Sequence, residues 1–176
     1  MNIPNLITVI RILLVPLLAW FILHKQHGPA LLIFVVAGIS DALDGLLARL
    51  LNQRTRLGSL LDPIADKALL TTSFLVLALT GIIPLWPALV VLARDLTILT
   101  GVALLMGRNS KLEISPTRTG KLTTFVQIST VAAVLGADLW PEVATFGDYL
   151  LIATLAVTIV SWLQYLTIGS RILKNW

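Results

Sequence analysis

The chain has 176 residues, of which 57% are hydrophobic and only 12% are charged. Typical soluble domains have roughly 45–50% apolar and about 25% charged residues, so this composition favours a membrane protein and leaves no room for a separate soluble domain. The net charge of +4 comes from basic residues spread over short segments, which disfavours a nucleic-acid groove. There is no cysteine, so disulfides and thiolate metal sites are excluded, and any metal must be held by oxygen ligands.

Apolar stretches close to the ~20 residues needed to cross a bilayer recur along the chain. Their lengths, measured between glycine, proline and charged residues, predict six helices. The predicted ranges are roughly 5–23, 29–51, 63–80, 84–106, 120–136 and 149–168. The expected fold class is all-α: one polytopic domain, residues 1–176, with six transmembrane helices around a cytoplasm-facing polar cavity. The first helix is expected to be a retained span, because no small-residue cleavage site follows it.

Lysine and arginine lie unevenly on the two sides of this six-helix arrangement. One side collects most of them around the second and fourth connections and the tail, whereas the other side has Lys25 alone. Cytoplasmic loops carry the excess of basic residues in membrane proteins. We therefore expect a multi-pass protein of the cell (inner) membrane with both termini and the active site cytoplasmic.

Four of the nine acidic residues cluster between positions 41 and 66. On helices, Asp41 and Asp44 share one face, and so do Asp62 and Asp66, because residues three or four apart are neighbours. Carboxylates inside a membrane are costly and repel one another, so something must compensate them. Divalent cations such as Mg²⁺ or Mn²⁺ prefer such all-oxygen ligands. The alternatives are salt bridges with nearby basic residues (Arg49, Arg54, Arg56 and Lys67) or the cation path of a non-enzymatic transporter.

Small residues accompany these aspartates. Gly45 and Ala48 share a face with Asp41 and Asp44, and Gly58 precedes the second pair. They leave the backbone open to a bulky ligand, although each glycine taken alone also suits close packing between membrane helices.

Together these residues form the pattern Asp41-x2-Asp44-Gly45-x2-Ala48-Arg49-x8-Gly58-x3-Asp62-x3-Asp66. The pattern resembles the signature of the CDP-alcohol phosphotransferase family at every defined position. The resemblance implies that all four aspartates bind two divalent ions, Mg²⁺ or Mn²⁺, and that Asp66 is also the catalytic base. It implies that the nucleotide is bound by Gly45, Ala48, Arg49 and Gly58. It further implies CDP-diacylglycerol as phosphatidyl donor, release of CMP, and a homodimer.

The acceptor alcohol is less strongly indicated. The opening MNIPNLITVIR, the segment from Asp62 to Lys67 and the stretch from Gly120 to Gln127 resemble family members that form phosphatidylglycerophosphate from sn-glycerol 3-phosphate. Members that form cardiolipin from phosphatidylglycerol share part of these features. The acceptor phosphate is expected to be bound by Arg118, Lys121 and Arg171. The alternative is that these basic residues only follow the topology rule and contact lipid headgroups.

Arg94 and Asp95 are adjacent charges near the middle of the fourth predicted span. Adjacent helical residues point in different directions, so each is expected to need its own buried partner. Charges inside a membrane indicate function by default. A structural pair with another helix is the competing interpretation.

Overall fold

A computed structural model describes the backbone at residues 3–50, 56–108 and 117–174, and the side chains at 8–40, 65, 67–101 and 117–171. Within these residues the fold is all-α with six helices, as predicted. They are α1 (Ile3–Leu23), α2 (His27–Leu50), α3 (Arg56–Leu79), α4 (Leu85–Arg108), α5 (Arg118–Gly136) and α6 (Glu142–Lys174).

Three predicted helix boundaries differ from the structure by six or seven residues: the start of the third helix and both ends of the last, which ends at Lys174 instead of 168. The third helix begins at Arg56 instead of 63, so Pro63 lies inside α3. Membrane helices tolerate an internal proline, because the freed carbonyl is satisfied by local adjustment, and the apolar sequence on both sides favours continuing the helix. The last helix begins at Glu142 instead of 149, because Gly147 packs against Val134 of α5 without interrupting the helix.

Helix pairing sets the positions of the aspartate-bearing segments. α1 packs against both α2 and α3, and α5 packs along α6. α4 connects the two groups through contacts with α3 and α6. The apolar core lies where α1, α2 and α3 meet, with Leu18, Phe34 and Phe74 almost completely buried.

Two helices end in the same way. After α1, Lys25 adopts a left-handed backbone conformation with φ 56°, and after α3, Gly81 does so with φ 75°. The amide N–H groups of Gln26 and Ile82 donate to the carbonyls of Phe21 and Leu77, which is the Schellman arrangement. Glycine adopts this conformation without steric cost because it has no Cβ, whereas Lys25 adopts it despite the steric cost of its Cβ.

The α1–α2 and α5–α6 turns meet at one end of the bundle. The His27 ring nitrogen Nδ1 pairs with the Asp138 carboxylate across these turns, and Gly28 lies against Leu139. Lys121 lies at the other end of α5, close to Tyr165 in the second half of α6. Basic Lys121 and acidic Asp138 thus lie at opposite ends of the bundle.

The bundle has an apolar exterior and a partly polar interior. Large side chains such as Leu32, Phe125 and Ile152 are about two-thirds exposed, whereas Arg11, Thr123 and Gln127 are fully buried. Among the described residues, one helical segment, Glu142–Arg171, is both long and apolar enough to cross a membrane by itself. Shorter apolar helical segments occur at Thr8–Leu23, His27–Ser40 and Lys67–Leu79.

Candidate active site

The aspartate pairs lie on two continuous helices. Asp41 and Asp44 are in α2, and Asp62 and Asp66 are in α3. Because both backbones are helical, the three- and four-residue spacings place each pair along one face of its helix. The side chains of all four aspartates lie outside the described residues. Their common site, predicted from the sequence, therefore stays a prediction.

The residues expected to bind the nucleotide lie on the same two helices. Gly45, Ala48 and Arg49 belong to the last part of α2, and Gly58 belongs to the first turn of α3. Their side-chain surroundings are likewise outside the described residues. The sequence alone supports their role.

A network of charged side chains crosses from α3 to α6. Asp95 Oδ1 accepts hydrogen bonds from Lys67 Nζ at 2.8 Å and from an Arg94 guanidinium nitrogen at 2.6 Å. The other terminal nitrogen of Arg94 donates to Ser161 Oγ at 2.8 Å. Arg94 and Asp95 are 3% and 7% exposed. We call Lys67, Arg94, Asp95 and Ser161 the charge network.

The expectation that Arg94 and Asp95 point apart is wrong. Their side chains bend toward each other and form an ion pair, because two buried charges gain more by pairing than by facing apolar neighbours. Each also finds a partner on another helix, as predicted. Within the described residues, Asp95 Oδ2 and Arg94 Nε have no hydrogen-bond partner.

A cavity of about 160 Å³ lies beside the charge network. Its lining side chains come from four helices: Lys67, Arg94, Ile98, Lys121, Thr124 and Tyr165, together with Gly120. The Arg94 guanidinium carbon lies 5.8 Å from the centre of the Tyr165 ring. Three cations thus border a space of sufficient volume for a phosphate-sized group, although it is smaller than the roughly 300–1,000 Å³ of drug-sized ligand pockets.

The start of α5 is shaped around this cavity. Thr117 caps the helix, and its hydroxyl accepts from the Gly120 amide at 3.0 Å. The Thr117 amide donates to the Tyr165 hydroxyl at 3.2 Å. A Cβ on Gly120 would come within 3.1 Å of both that hydroxyl and Thr117 Oγ1, so glycine permits the close approach.

The structure brings together only part of the predicted acceptor-phosphate set. All three side chains are exposed, and Lys121 borders the cavity, whereas Arg118 on α5 and Arg171 on α6 are not among its lining residues. The other side chains with an ionised or ionisable group that line the cavity are Lys67, Arg94 and Tyr165. The signal that identifies Arg94 was already in the sequence, since a charge in the middle of an apolar span needs a partner or a function.

The four aspartates fit a pair of divalent ions by their donor chemistry. Their side chains, carried by two helices, supply only carboxylate oxygens, which are the ligands that hard divalent cations prefer. Among the described residues there is no group of three potential metal-ligating side chains that would compete as a site.

Comparison with known proteins identifies the family. The family model for CDP-alcohol phosphatidyltransferases matches residues 1–162. The chain belongs to this membrane-embedded enzyme family.

The relatives are named for two different activities. CDP-diacylglycerol--glycerol-3-phosphate 3-phosphatidyltransferases of Aquifex aeolicus and Bacillus subtilis are 33% and 30% identical; the matches cover 98% and 99% of this chain and 98% and 95% of theirs. A putative cardiolipin synthase of Mycobacterium tuberculosis is 39% identical over 126 residues. That match covers 71% of this chain but only 60% of the mycobacterial protein, so the chain spans less than two-thirds of that relative's length.

Proposed function

We propose that the chain transfers a phosphatidyl group from CDP-diacylglycerol to sn-glycerol 3-phosphate, giving phosphatidylglycerophosphate and CMP. The observation that carries the choice of acceptor is the cavity bordered by Lys67, Arg94 and Lys121. Support also comes from the two relatives that are named for this activity, which align with almost the whole chain.

In the proposed reaction, the acceptor hydroxyl attacks the phosphorus that carries diacylglycerol, and the bond to CMP breaks. Asp66 takes the hydroxyl proton as general base. Asp41, Asp44, Asp62 and Asp66 would hold two divalent ions, Mg²⁺ or Mn²⁺. When bound, such ions stabilise negative charge on the attacking and leaving oxygens. Gly45, Ala48, Arg49 and Gly58 would border the cytidine diphosphate.

The charge of the cavity favours a phosphate monoester as acceptor. A monoester carries about −1.5 to −2 at neutral pH, whereas the phosphodiester of phosphatidylglycerol carries one negative charge. Among the described residues, three cationic side chains border the cavity and one carboxylate, that of Asp95, lies next to them. Charge-assisted hydrogen bonds from Lys67, Arg94 and Lys121 would bind the more highly charged ligand better.

The same proposal includes the membrane arrangement. All six helices would span the cell membrane as one domain, residues 1–176, with the cavity and both termini on the cytoplasmic side. The position of Lys121 and Asp138 at opposite ends of the bundle supports this orientation, because basic residues mark the cytoplasmic face. The exposed apolar side chains would contact lipid. A homodimer is part of the proposal through the family resemblance.

Cardiolipin synthesis is the second candidate. The 39% identity to the mycobacterial putative cardiolipin synthase favours it. The acceptor would then be phosphatidylglycerol, and its diacyl tail would have to remain in the lipid while its headgroup enters the cavity.

In the decisive experiment, the purified protein is supplied with radiolabelled CDP-diacylglycerol, with Mg²⁺ or Mn²⁺, and with one acceptor at a time. We expect lipid product only when glycerol 3-phosphate is the acceptor. A metal chelator and the Asp66→Asn substitution should each abolish it. Asp148→Asn is the matched control, because Asp148 is an exposed carboxylate on α6. Product with phosphatidylglycerol alone would transfer the assignment to cardiolipin synthesis. Absence of CMP release with every acceptor would reject the transferase and leave cation transport to be tested.

A further inference from the structure

Lys67 is next to a proposed metal ligand in the chain. It directly follows Asp66, the proposed base and metal ligand, on the continuous helix α3. Its four-carbon stem is flexible and ends in a compact ammonium. An ammonium in contact with a carboxylate cluster competes with divalent cations for the same oxygens.

The structure shows where this ammonium goes. Lys67 Nζ donates to Asp95 Oδ1 on α4 at 2.8 Å, and the Lys67 side chain is 33% exposed whereas that of Asp95 is 6% exposed. The same oxygen accepts from Arg94 at 2.6 Å. One buried carboxylate therefore restrains two cations.

The two cations are not held equally. Arg94 is also bound to Ser161 and lies over Tyr165, so it keeps two contacts on α6 if Asp95 loses its charge. Lys67 has no comparable second anchor among the described residues. Removing the charge of Asp95 would therefore release Lys67, which is the neighbour of Asp66 in the chain.

We infer that Asp95 is a positioning residue that keeps the Lys67 ammonium away from the aspartate pairs, so that their carboxylates stay available to divalent ions. This inference rests on the proposed function, because it assigns the aspartates to metal binding. It adds a role for a charge on α4 that the sequence pattern of α2 and α3 does not contain.

Equilibrium binding of Mn²⁺ without substrate, followed by electron paramagnetic resonance of the free ion, tests this role in the purified full chain. Asp95→Asn is expected to weaken Mn²⁺ binding roughly tenfold, the lower end for loss of an outer-shell partner. The double variant Asp95→Asn with Lys67→Gln is expected to restore the wild-type affinity, because the competing ammonium is gone. Asp95→Glu keeps the restraining charge and should bind Mn²⁺ like the wild type.

A merely structural ion pair gives a different pattern. In that case the double variant would bind Mn²⁺ as weakly as Asp95→Asn, or Asp95→Asn would bind it normally, and either result overturns the inference. Ser161→Ala, which removes a hydrogen bond of the same network but leaves Lys67 held, is the matched control and should leave the affinity unchanged.

Two further outcomes separate this inference from the proposed reaction. If Asp95→Asn does not fold, Asp95→Ser, which also removes the charge, takes its place alone and together with Lys67→Gln: weaker Mn²⁺ binding that the second change restores supports the role, and any other pattern overturns it. A wild-type protein that binds Mn²⁺ with this variant pattern but never releases CMP would reject the transferase while supporting the role of Asp95. A wild-type protein that binds no Mn²⁺ overturns the inference.

Discussion

The interior of the bundle contains two polar regions of different character. The charge network joins α3 and α4 through ionised groups, and the Arg94 guanidinium extends it to the Ser161 hydroxyl on α6. Between α5 and α6 lie neutral hydroxyls instead. Thr130 Oγ1 is 2.7 Å from Thr154 Oγ1, and Thr123 Oγ1 donates to the Thr119 and Val157 carbonyls. We call Thr123, Thr130 and Thr154 the threonine ladder.

The two regions satisfy their polar groups by different means. In the threonine ladder, Thr123 and Thr130 bond to carbonyls of their own helix four residues earlier and also to α6. Short polar side chains of this kind let membrane helices approach closely. In the charge network, Asp95 Oδ2 and Arg94 Nε are buried without a partner among the described residues, and a cavity lies alongside. Gln127, on the buried face of α5 that carries Thr123 and Thr130, also lacks a partner among the described residues, so incomplete pairing alone does not separate the two regions. The cavity beside the charge network is what indicates ligand binding there.

Arg94→Leu tests this contrast with the largest expected effect. Removing one partner of a buried ion pair costs about 3–5 kcal/mol, because the remaining charge loses its compensation. Asp95 would keep Lys67 as its remaining partner, so we expect a loss near the lower end of this range, about 3 kcal/mol, in the free energy of unfolding, measured by denaturation in detergent micelles. Arg118→Leu, at an exposed arginine, is the control and should change it by no more than about 0.5 kcal/mol. Equal stability of the two variants would contradict the importance of the charge network.

Lys121→Gln sharpens the contrast at the cavity. If Lys121 binds the acceptor phosphate, losing this charge-assisted hydrogen bond should raise KM for glycerol 3-phosphate about tenfold, or roughly 1.4 kcal/mol. The KM for CDP-diacylglycerol should stay the same, as steady-state kinetics would show. Lys25→Gln, which removes a lysine from the other end of the bundle, is the matched control. An equal rise in KM with Arg118→Gln would instead support the pairing of Arg118 with Lys121 expected from the sequence.

The sequence predicts the helices well, because their signal is local. The lengths of the apolar stretches predict six helices. The starts of α3 and α6 were misplaced at Pro63 and Gly147, because proline and glycine often end a helix. In apolar surroundings, leaving backbone groups unpaired costs more than continuing the helix through these residues. The placement of each aspartate pair on one helix face is predictable for a similar reason, because a fixed spacing on a helix defines a face. Its side-chain geometry lies outside the described residues and stays a prediction.

The cavity could not be predicted in the same way. Lys67, Arg94 and Lys121 are separated by 27 residues in each interval, and only the packing of α3, α4 and α5 beside Tyr165 of α6 brings them together. Basic residues close in sequence, such as Arg118 and Lys121, suggested a shared site. Both side chains are exposed on α5, but only Lys121 is among the residues that line the cavity.

Gly120→Ala is a smaller test of the cavity's shape. The added Cβ would lie 3.1 Å from the Tyr165 hydroxyl, so the ring must shift by a few tenths of an ångström and narrow the cavity. We expect KM for glycerol 3-phosphate to rise about threefold, or roughly 0.6–0.7 kcal/mol. Gly169→Ala is the matched control, because its Cβ would meet nothing within 4 Å and alanine favours a helix by about 1 kcal/mol. Greater stability with unchanged KM in both variants would show that the close approach at Gly120 has no role in binding.

The smallest expected effect is on the threonine ladder. Thr130→Val removes the hydrogen bonds to the Val126 and Leu150 carbonyls and to Thr154 but nearly keeps the side-chain shape. Hydrogen bonds between membrane helices contribute about 0.6 kcal/mol on average, so the free energy of unfolding in micelles should fall by that amount. Thr130→Ser keeps the hydroxyl and should lose less. Both variants should retain the wild-type KM for glycerol 3-phosphate, because the ladder does not border the cavity. A rise in KM with Thr130→Val would mean that the contact between α5 and α6 also positions Lys121, and the separation between a packing region and a binding region would fail.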